Sequence, residues 1–155
     1  MTNYKITSFT GTYNHTLDAK GRFSIPSNYR EILRTQYTEE LMIFQSIGYN
    51  YLLAYPFDVW KTFEVKVSKL NPFDPVEREV RRIVLSTVKY CPLDKAGRIL
   101  LPPEHRKHAE IEKEVTIRGD LSGFEIWSTA NWIEVSESIK NNPEVIKCAA
   151  KIFAE

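Results

Sequence analysis

Residues 17–30 read LDAKGRFSIPSNYR, and residues 93–106 read LDKAGRILLPPEHR. Aligned without a gap, the two stretches agree at leucine, aspartate, glycine, arginine and proline, and again at the final arginine. Unrelated segments of this length rarely agree so often, so the sequence indicates an internal duplication. The rest of the chain is organised around this repeated stretch.

The first copy predicts a strand, a turn, a second strand and a short helix. Asp18 can accept hydrogen bonds from backbone N–H groups just after it, as in an Asx-type turn. Gly21 provides the positive φ that a tight hairpin needs. Arg22 opens a strand that Pro26 ends, because proline has no N–H for a ladder. Ser27 is then the expected N-cap of the helix.

The second copy predicts the same unit. Asp94 and Gly97 form the turn, Arg98 opens the strand, and Pro103 suits the first helical position. Each turn therefore carries an aspartate and an arginine four residues apart. The simplest interpretation is that each aspartate caps its turn and pairs with its own arginine, with no ligand.

A binding role depends on what surrounds the first turn. Lys20 and Arg22 are expected at an exposed tip, with His15 opposite them on the hairpin. An arginine held by a neighbouring carboxylate is pre-organised and can still present its guanidinium to guanine or to phosphate.

Composition and charge restrict the class of protein. A chain of 155 residues with 43% hydrophobic residues can bury a core. No apolar run is long enough for a membrane span, and residues 1–6 lack the apolar stretch of a signal peptide, so we expect a cytoplasmic protein. The net charge of +1 argues against a uniformly basic protein, but cations outnumber carboxylates in residues 1–36. Such a local patch suits a nucleic-acid partner; its cations are Lys5, Lys20, Arg22, Arg30 and Arg34.

Periodicity predicts the remaining elements. Helices are expected at 57–70, from Pro75, at 103–109 and from Thr129. Asp74 is the expected N-cap of the second of these, with Glu77 as its capping-box partner. The two halves are too short for rich separate cores, so we expect their strands to interleave in one barrel-like sheet. Strands are expected at 9–17, 41–47, 51–55, 86–93, 113–118 and 124–127.

A last helix is expected after Asn142. Its apolar residues suit packing either on the domain itself or on a neighbouring subunit. They are Val145, Ile146, Ala149, Ile152 and Phe153.

Other side chains offer weaker functional candidates. His105 and His108 have the spacing of a metal pair but no evident third ligand, so a surface or helix-terminal role is favoured. Trp60, Trp127 and Trp132 could stack bases, but their apolar neighbours favour core packing. We find no phosphate-binding glycine loop, catalytic triad or paired carboxylates, so an enzyme is not expected. A hydrolase with a metal held by the two histidines stays open as an alternative.

The two turns resemble the paired Asp-x-x-x-Arg signature motifs of the bacterial MraZ family. Residues 15–26 carry the first motif and residues 93–102 the second, and residues 11–13 and 55–60 fit the family as well. The resemblance extends over most of the chain, from about residue 9 to residue 132.

The resemblance implies an α+β fold: an internally duplicated, AbrB-like double-split or swapped-hairpin β-barrel with peripheral helices. One chain would supply both halves, which we place at residues 1–75 and 76–155, the second with a C-terminal helical tail. The two halves would form one pseudo-symmetric unit.

The resemblance also implies a function. The protein would regulate transcription of the division and cell-wall gene cluster by binding direct repeats of double-stranded DNA in its own promoter. It would form a ring-shaped homo-oligomer, with an octamer as the first estimate, and associate with the nucleoid. No cofactor, metal, membrane partner or small-molecule substrate is implied.

Carried over by position, DNA contact falls chiefly on Arg22, with Lys20 beside it. The alternative is a ring-forming scaffold whose arginines meet acidic protein partners. We expect the second turn to be partly structural. The other residues expected at the DNA interface are Asp18, Gly21, His15, Asp94, Lys95 and Arg98.

Overall fold

A computed structural model describes residues 8–155 and shows a mixed α+β protein, which confirms the predicted class. The predictions for residues 1–6, and the charge of Lys5, lie outside the described residues. The elements of the first half are β1 (Thr12–Thr16), β2 (Arg22–Ser24), α1 (Ser27–Gln36), β3 (Glu40–Gln45), β4 (Leu52–Pro56) and α2 (Phe57–Ser68). Those of the second half are α3 (Pro75–Thr87), β5 (Lys89–Pro92), β6 (Arg98–Leu100), α4 (Pro103–His108), β7 (Glu114–Gly119), β8 (Phe124–Ser128), α5 (Thr129–Lys140) and α6 (Pro143–Phe153).

The strands of residues 8–155 form two antiparallel sheets. The larger has six strands in the order β1-β7-β8-β4-β3-β5, and the smaller pairs β2 with β6. Each half of the chain adds a strand to the edge of the other, because β1 pairs with β7 and β5 pairs with β3. If each strand is replaced by its equivalent in the other half (β1 by β5, β3 by β7, β4 by β8), the same order results, read from the opposite edge of the sheet. The halves therefore interleave.

Two apolar clusters hold these elements together. The main cluster takes side chains from both halves, among them Phe9, Tyr29, Ile99 and Phe124. The second lies beneath α2 and α3 and includes Phe44, Trp60, Val67 and Val84. The prediction that tryptophans serve the core is confirmed for Trp60 and Trp127, which are both buried, whereas Trp132 is half-buried.

The N-terminus of α3 is capped as predicted. The Oδ1 atom of Asp74 accepts hydrogen bonds from the backbone N–H groups of Val76 at 2.9 Å and Glu77 at 3.0 Å. Glu77 is not the reciprocal capping-box partner, however. Its carboxylate accepts the N–H of Asn71 instead, because the N–H of Asp74 already donates to the Asn71 carbonyl.

Two predicted boundaries are wrong. Pro26, and not Ser27, is the N-cap of α1, and Ser27 already lies in the first helical turn without a side-chain cap bond. The strand predicted over 86–93 is shorter, because α3 continues through Thr87. The N–H of Val88 still donates to the carbonyl of Val84 at 3.2 Å, and the hydroxyl of Thr87 donates to the carbonyl of Ile83 at 2.7 Å.

Among residues 8–155, the last helix leaves most of its apolar face exposed. No residue of α6 is buried, although the helix contacts α5 and Ala149 is half-buried. Among residues 8–155, no helix has the length and apolar character that crossing a bilayer requires. The exposed apolar residues of α6 are Val145, Ile146, Ile152 and Phe153.

Two histidines attach α4 to β3 and to the loop that follows it. The Nε2 atom of His105 lies 3.0 Å from the carbonyl oxygen of Ile43, and its Nδ1 atom lies 3.3 Å from Nε2 of Gln45. The neutral ring can therefore donate at Nε2 and accept at Nδ1. His108 Nε2 lies 3.2 Å from Ser46 Oγ. Of the surface or helix-terminal role predicted for the pair, the helix-terminal part is confirmed, since both lie in the last turn of α4, whereas the surface part is wrong for His105, whose ring is fully buried.

Because of these contacts, the two histidines have few free ring nitrogens to offer a metal ion. The rings of His105 and His108 already face protein partners, and burial lowers the pKa of both. Within residues 8–155, no group of three or more histidine, cysteine or acidic side chains is arranged to hold a metal. The hydrolase alternative gains no support from this geometry.

Loss of the α3 cap should destabilise the fold. Asp74→Ala leaves the N–H groups of Val76 and Glu77 without their acceptor, so we expect a loss of about 1 kcal/mol. The thermal midpoint should fall by roughly 2–4 °C for a chain of this size. Glu134→Ala removes an equally acidic, exposed side chain from within α5 and should leave the midpoint nearly unchanged. Equal shifts in the two variants would contradict the capping role.

Stability should decrease on acidification through histidine. Because burial lowers the folded-state pKa of His105, the unfolded chain binds the proton more readily, and stability is lost as pH falls below about 6.5. Glu104 opposes this shift, while Lys89 and His108 reinforce it. We expect a lower thermal midpoint at pH 5.5 than at pH 7.5, and a smaller difference in His105→Gln. An unchanged difference in the variant would contradict this assignment.

Candidate nucleic-acid interface

The carboxylate of Asp18 closes the first turn. Its Oδ1 atom accepts the backbone N–H groups of Lys20 and Arg22, each at 2.9 Å, and its Oδ2 atom accepts Nε–H of Arg22 at 2.8 Å. Gly21 donates its N–H to the Asp18 carbonyl at 3.0 Å and adopts a φ of +85°. One carboxylate thus fixes both the backbone of the turn and the guanidinium of Arg22.

The second turn has the same hydrogen bonds. Asp94 Oδ1 accepts the N–H groups of Ala96 and Arg98, each at 2.9 Å, and Oδ2 accepts Nε–H of Arg98 at 3.0 Å. Gly97 adopts a φ of +79°. The duplicated sequence therefore gives a duplicated turn.

These hydrogen bonds lower the pKa of both turn carboxyls. For Asp18 the largest cause is the backbone N–H of Arg22, and for Asp94 it is the backbone N–H of Arg98; burial opposes both shifts. Because the ionised form is favoured, each carboxylate keeps its turn closed at mildly acidic pH.

The two turns meet across the paired strands β2 and β6. The carbonyl of each turn glycine accepts a hydrogen bond from the other half of the chain. Gly97 accepts the N–H of Ile25 at 2.9 Å, and Gly21 accepts the N–H of Leu101 at 3.0 Å. The structure therefore joins two distant motifs in one patch.

The charged side chains of the patch are partly open to solvent. Arg98 Nη1 lies 4.0 Å from Asp18 Oδ2, so the arginine of the second turn reaches the carboxylate of the first. The side chains of Arg22 and Arg98 are 29% and 35% exposed. Lys20 and Lys95 are exposed beside them.

The outer edge of Arg22 is available to a ligand. Its Nε–H is used by Asp18, whereas its Nη1 and Nη2 atoms donate to no protein group among residues 8–155. A guanidinium held in one orientation with a free edge can pair with two acceptors at once. Guanine O6 and N7, or two oxygens of a phosphate, present such acceptors.

Each turn is covered by an arginine from a helix of the other half. The sequence pattern does not predict this role. Arg106 of α4 lies over Gly21, and Arg30 of α1 lies over Gly97. A Cβ built on either glycine would be only 2.9 Å from Nη1 of the arginine above it. Glycine is thus favoured at both turns by its positive φ, and a larger residue would also displace the end of the arginine side chain above it. The signal in the sequence was the arginine that ends both copies.

His15 does not lie opposite the turn on a hairpin, so that prediction is wrong. β1 pairs with β7 and places His15 opposite Val115, whereas β2 pairs with β6 in the other sheet. The two strands leave the turn in different directions and join different partners. Burial lowers the pKa of His15. The ring lines a shallow cavity of about 190 Å³ with Asn14, Thr16, Glu114 and Thr129.

The chain is similar to a described family and to curated relatives. The family model "MraZ protein, putative antitoxin-like" matches it over residues 8–83 and again over residues 85–150. The Transcriptional regulator MraZ of Salmonella paratyphi B is 39% identical over 147 residues, which cover 95% of each chain.

Two further relatives carry the same name. The protein of Actinobacillus pleuropneumoniae serotype 3 is 37% identical over 145 residues, covering 92% of this chain and 95% of the relative. That of Shewanella amazonensis is 40% identical over 124 residues, covering 80% and 82% respectively. Since the family model matches both halves and the relatives cover most of the chain, the protein belongs to the MraZ family.

Proposed function

We propose that this protein is a transcriptional regulator that binds double-stranded DNA through the patch formed by its two turns. The relatives named Transcriptional regulator MraZ support the regulatory role. The observation that carries the DNA assignment is the guanidinium of Arg22, which Asp18 fixes through Nε while its outer edge stays free. Arg22 then reads guanine, and the exposed Lys20 holds a neighbouring phosphate.

The proposed target is a set of direct repeats in the promoter of the protein's own gene, at the head of the division and cell-wall cluster. One bidentate arginine–guanine pair gives only about 1–3 kcal/mol of discrimination, so one protomer binds with little selectivity. Several protomers on successive repeats gain through effective concentration. A ring-shaped homo-oligomer, with an octamer as the first estimate, provides this on nucleoid DNA in the cytoplasm.

The proposed fold is the AbrB-like swapped-hairpin barrel, with halves at residues 1–75 and 76–155. The strand order, which is unchanged when the halves are exchanged, supports it. So does the second sheet, which pairs the equivalent strands β2 and β6. In this arrangement the helices lie outside the sheets.

The proposed self-association uses apolar helix faces. α6 leaves an apolar stripe uncovered, and Val76, Val80 and Ile83 of α3 are exposed as well. Burying such residues against a second copy is favourable, at roughly 25 cal/mol for each Å² of apolar surface removed from water. Two separate apolar faces on one protomer, one on α3 and one on α6, allow head-to-tail contacts that close into a ring.

A scaffold without specific DNA readout is the second candidate. The observation in its favour is that both turn arginines are already paired with carboxylates. Wild-type protein that assembles but does not bind its promoter would favour the scaffold.

Truncation of Arg22 should weaken promoter binding. Loss of one arginine–guanine pair per protomer predicts an affinity about 10- to 100-fold lower in Arg22→Ala, together with reduced discrimination against scrambled DNA. Fluorescence anisotropy at fixed salt measures both quantities, and circular dichroism checks the fold. Lys61→Ala removes the same charge from an exposed site on α2 paired with Glu64, and should bind normally. Unchanged affinity in folded Arg22→Ala would overturn the assignment.

Charge on the apolar stripe of α6 should prevent assembly. The protomer has a mass of 18.1 kDa, so light scattering readily separates it from a ring. We expect Ile146→Asp with Ile152→Asp to reduce the measured mass toward the protomer, because the buried interface would receive two carboxylates. Lys147→Asp introduces a carboxylate at another exposed position of the same helix and should leave the mass unchanged. A monomeric wild type would contradict the ring.

A further inference from the structure

The two arginines that cover the turns differ in their partners. Arg30 donates from Nε to Glu39 at 3.1 Å and from Nη2 to the carbonyl of Lys95 at 3.1 Å. Arg106 has no side-chain hydrogen bond or ion pair within residues 8–155, and its Nε atom is buried without a partner. The side chain over the first turn is thus unsatisfied, whereas the side chain over the second turn is satisfied.

The difference arises at one pair of equivalent positions. The N–H of Leu93 donates to the carbonyl of Glu39 at 3.0 Å, and the N–H of Leu17 donates to the carbonyl of Lys113 at 2.7 Å. Since the two leucines begin the two copies of the repeat, Glu39 and Lys113 occupy the same place in the two halves. The carboxylate that neutralises Arg30 is therefore replaced by a cation beside the first turn.

Nearby carboxylates do not make up for this replacement. Glu110 and Glu112 line the same groove as Arg106. Neither forms an ion pair with Arg106 among the described residues, and the carboxylate of Glu110 accepts a hydrogen bond from Asn50 at 2.6 Å. Lys113 lines a neighbouring cavity with Glu110, Glu112 and Glu114. The first turn itself carries Lys20 and Arg22, with Arg106 over Gly21, and Asp18 is the only carboxylate of residues 18–22.

A buried guanidinium N–H without an acceptor is unfavourable, and arginine cannot avoid the cost by losing its proton. The Nη1 and Nη2 atoms of Arg106 also have no acceptor among residues 8–155, and unlike Nε they are not buried, so an acceptor from outside the chain can reach them. Because Lys113 stands at the position equivalent to Glu39, no carboxylate neutralises Arg106 from there, and that acceptor should be an anion. A phosphate offers several oxygens to the planar fork of donors.

We propose that Arg106, with Lys113, binds a backbone phosphate of the DNA whose groove Arg22 enters. This inference depends on the proposed DNA-binding function. The guanidinium lies directly over Gly21, so a phosphate bound there sits beside the turn and fixes the depth and register at which Arg22 meets the bases. The neutral pair of Arg30 and Glu39 gives the second turn no such site.

The equivalent arginines provide a matched pair of variants. Arg106→Met keeps a long side chain over Gly21 but removes the donors. It should lower affinity about tenfold for cognate and scrambled duplexes alike, and reduce the slope of log affinity against log salt by about 0.9 for each phosphate that is no longer neutralised. Its unfolding midpoint should stay equal or rise. Arg30→Met should do the reverse: affinity and salt slope are kept, while the midpoint falls because Glu39 and the Lys95 carbonyl lose their donor.

A second variant tests the same site without truncating the arginine. Lys113→Glu supplies the carboxylate found in the other half, so Arg106 gains a partner within the chain and DNA affinity falls together with the salt slope. Lys107→Glu makes the same charge change at the exposed neighbour of Arg106 and should have a much smaller effect. Arg106→Lys keeps a charge and should restore part of the affinity.

The outcomes separate the two proposals. If the wild type does not bind promoter DNA, or if Arg22→Ala binds normally, the proposed function fails. If those controls behave as expected but folded Arg106→Met and Lys113→Glu keep the wild-type affinity and salt slope, the phosphate site alone is overturned. Equal losses in Lys113→Glu and Lys107→Glu would attribute the effect to net charge and would also overturn it.

Discussion

The structure depends on an exchange of backbone hydrogen bonds between the two halves at the turn glycines. The carbonyl of Gly97 accepts from Ile25 in the first half, and the carbonyl of Gly21 accepts from Leu101 in the second. Each turn is therefore built by both halves. The arginine above each glycine follows the same exchange, since α4 covers the first turn and α1 covers the second. The geometry of the turns, the pairing of β2 with β6 and the positions of α1 and α4 therefore all depend on contacts between the two halves.

This arrangement constrains the backbone and leaves the side chains free to differ. Phe44 of β3 and Arg118 of β7 occupy matching positions, opposite Leu53 and Glu125 in the two hairpins. Phe44 packs beneath α2 and α3, whereas Arg118 pairs with Glu125 at 2.8 Å. In the second half α5 covers β7 and β8, and a cavity of about 300 Å³ lies between Arg118 and this helix. Glu39 and Lys113 are a second example, because they occupy equivalent backbone positions but carry side chains of opposite charge.

Much of the fold could be predicted from the sequence because its signals are local. The Asp–Gly turns, the cap at Asp74 and the apolar helix faces each depend on residues close together in the chain. Strand partners depend on distant residues, and for that reason the local pattern predicts for His15 a hairpin that does not form. The burial of His105 was missed for a related reason: only the fold brings the Ile43 carbonyl to its ring.

The pairing of β1 with β7 also bears on how the chain is made. Tyr13 has Ile117 as its partner, more than a hundred residues later, so the outermost strand of the big sheet waits unpaired while most of the polypeptide is synthesised. Contacts this remote slow folding, because a large loop must close before they form. A nascent first half offers bare strand edges to other nascent chains. The pairing of β1 can therefore form only after β7 has been synthesised, whereas the hairpin of β3 and β4 needs no later residue.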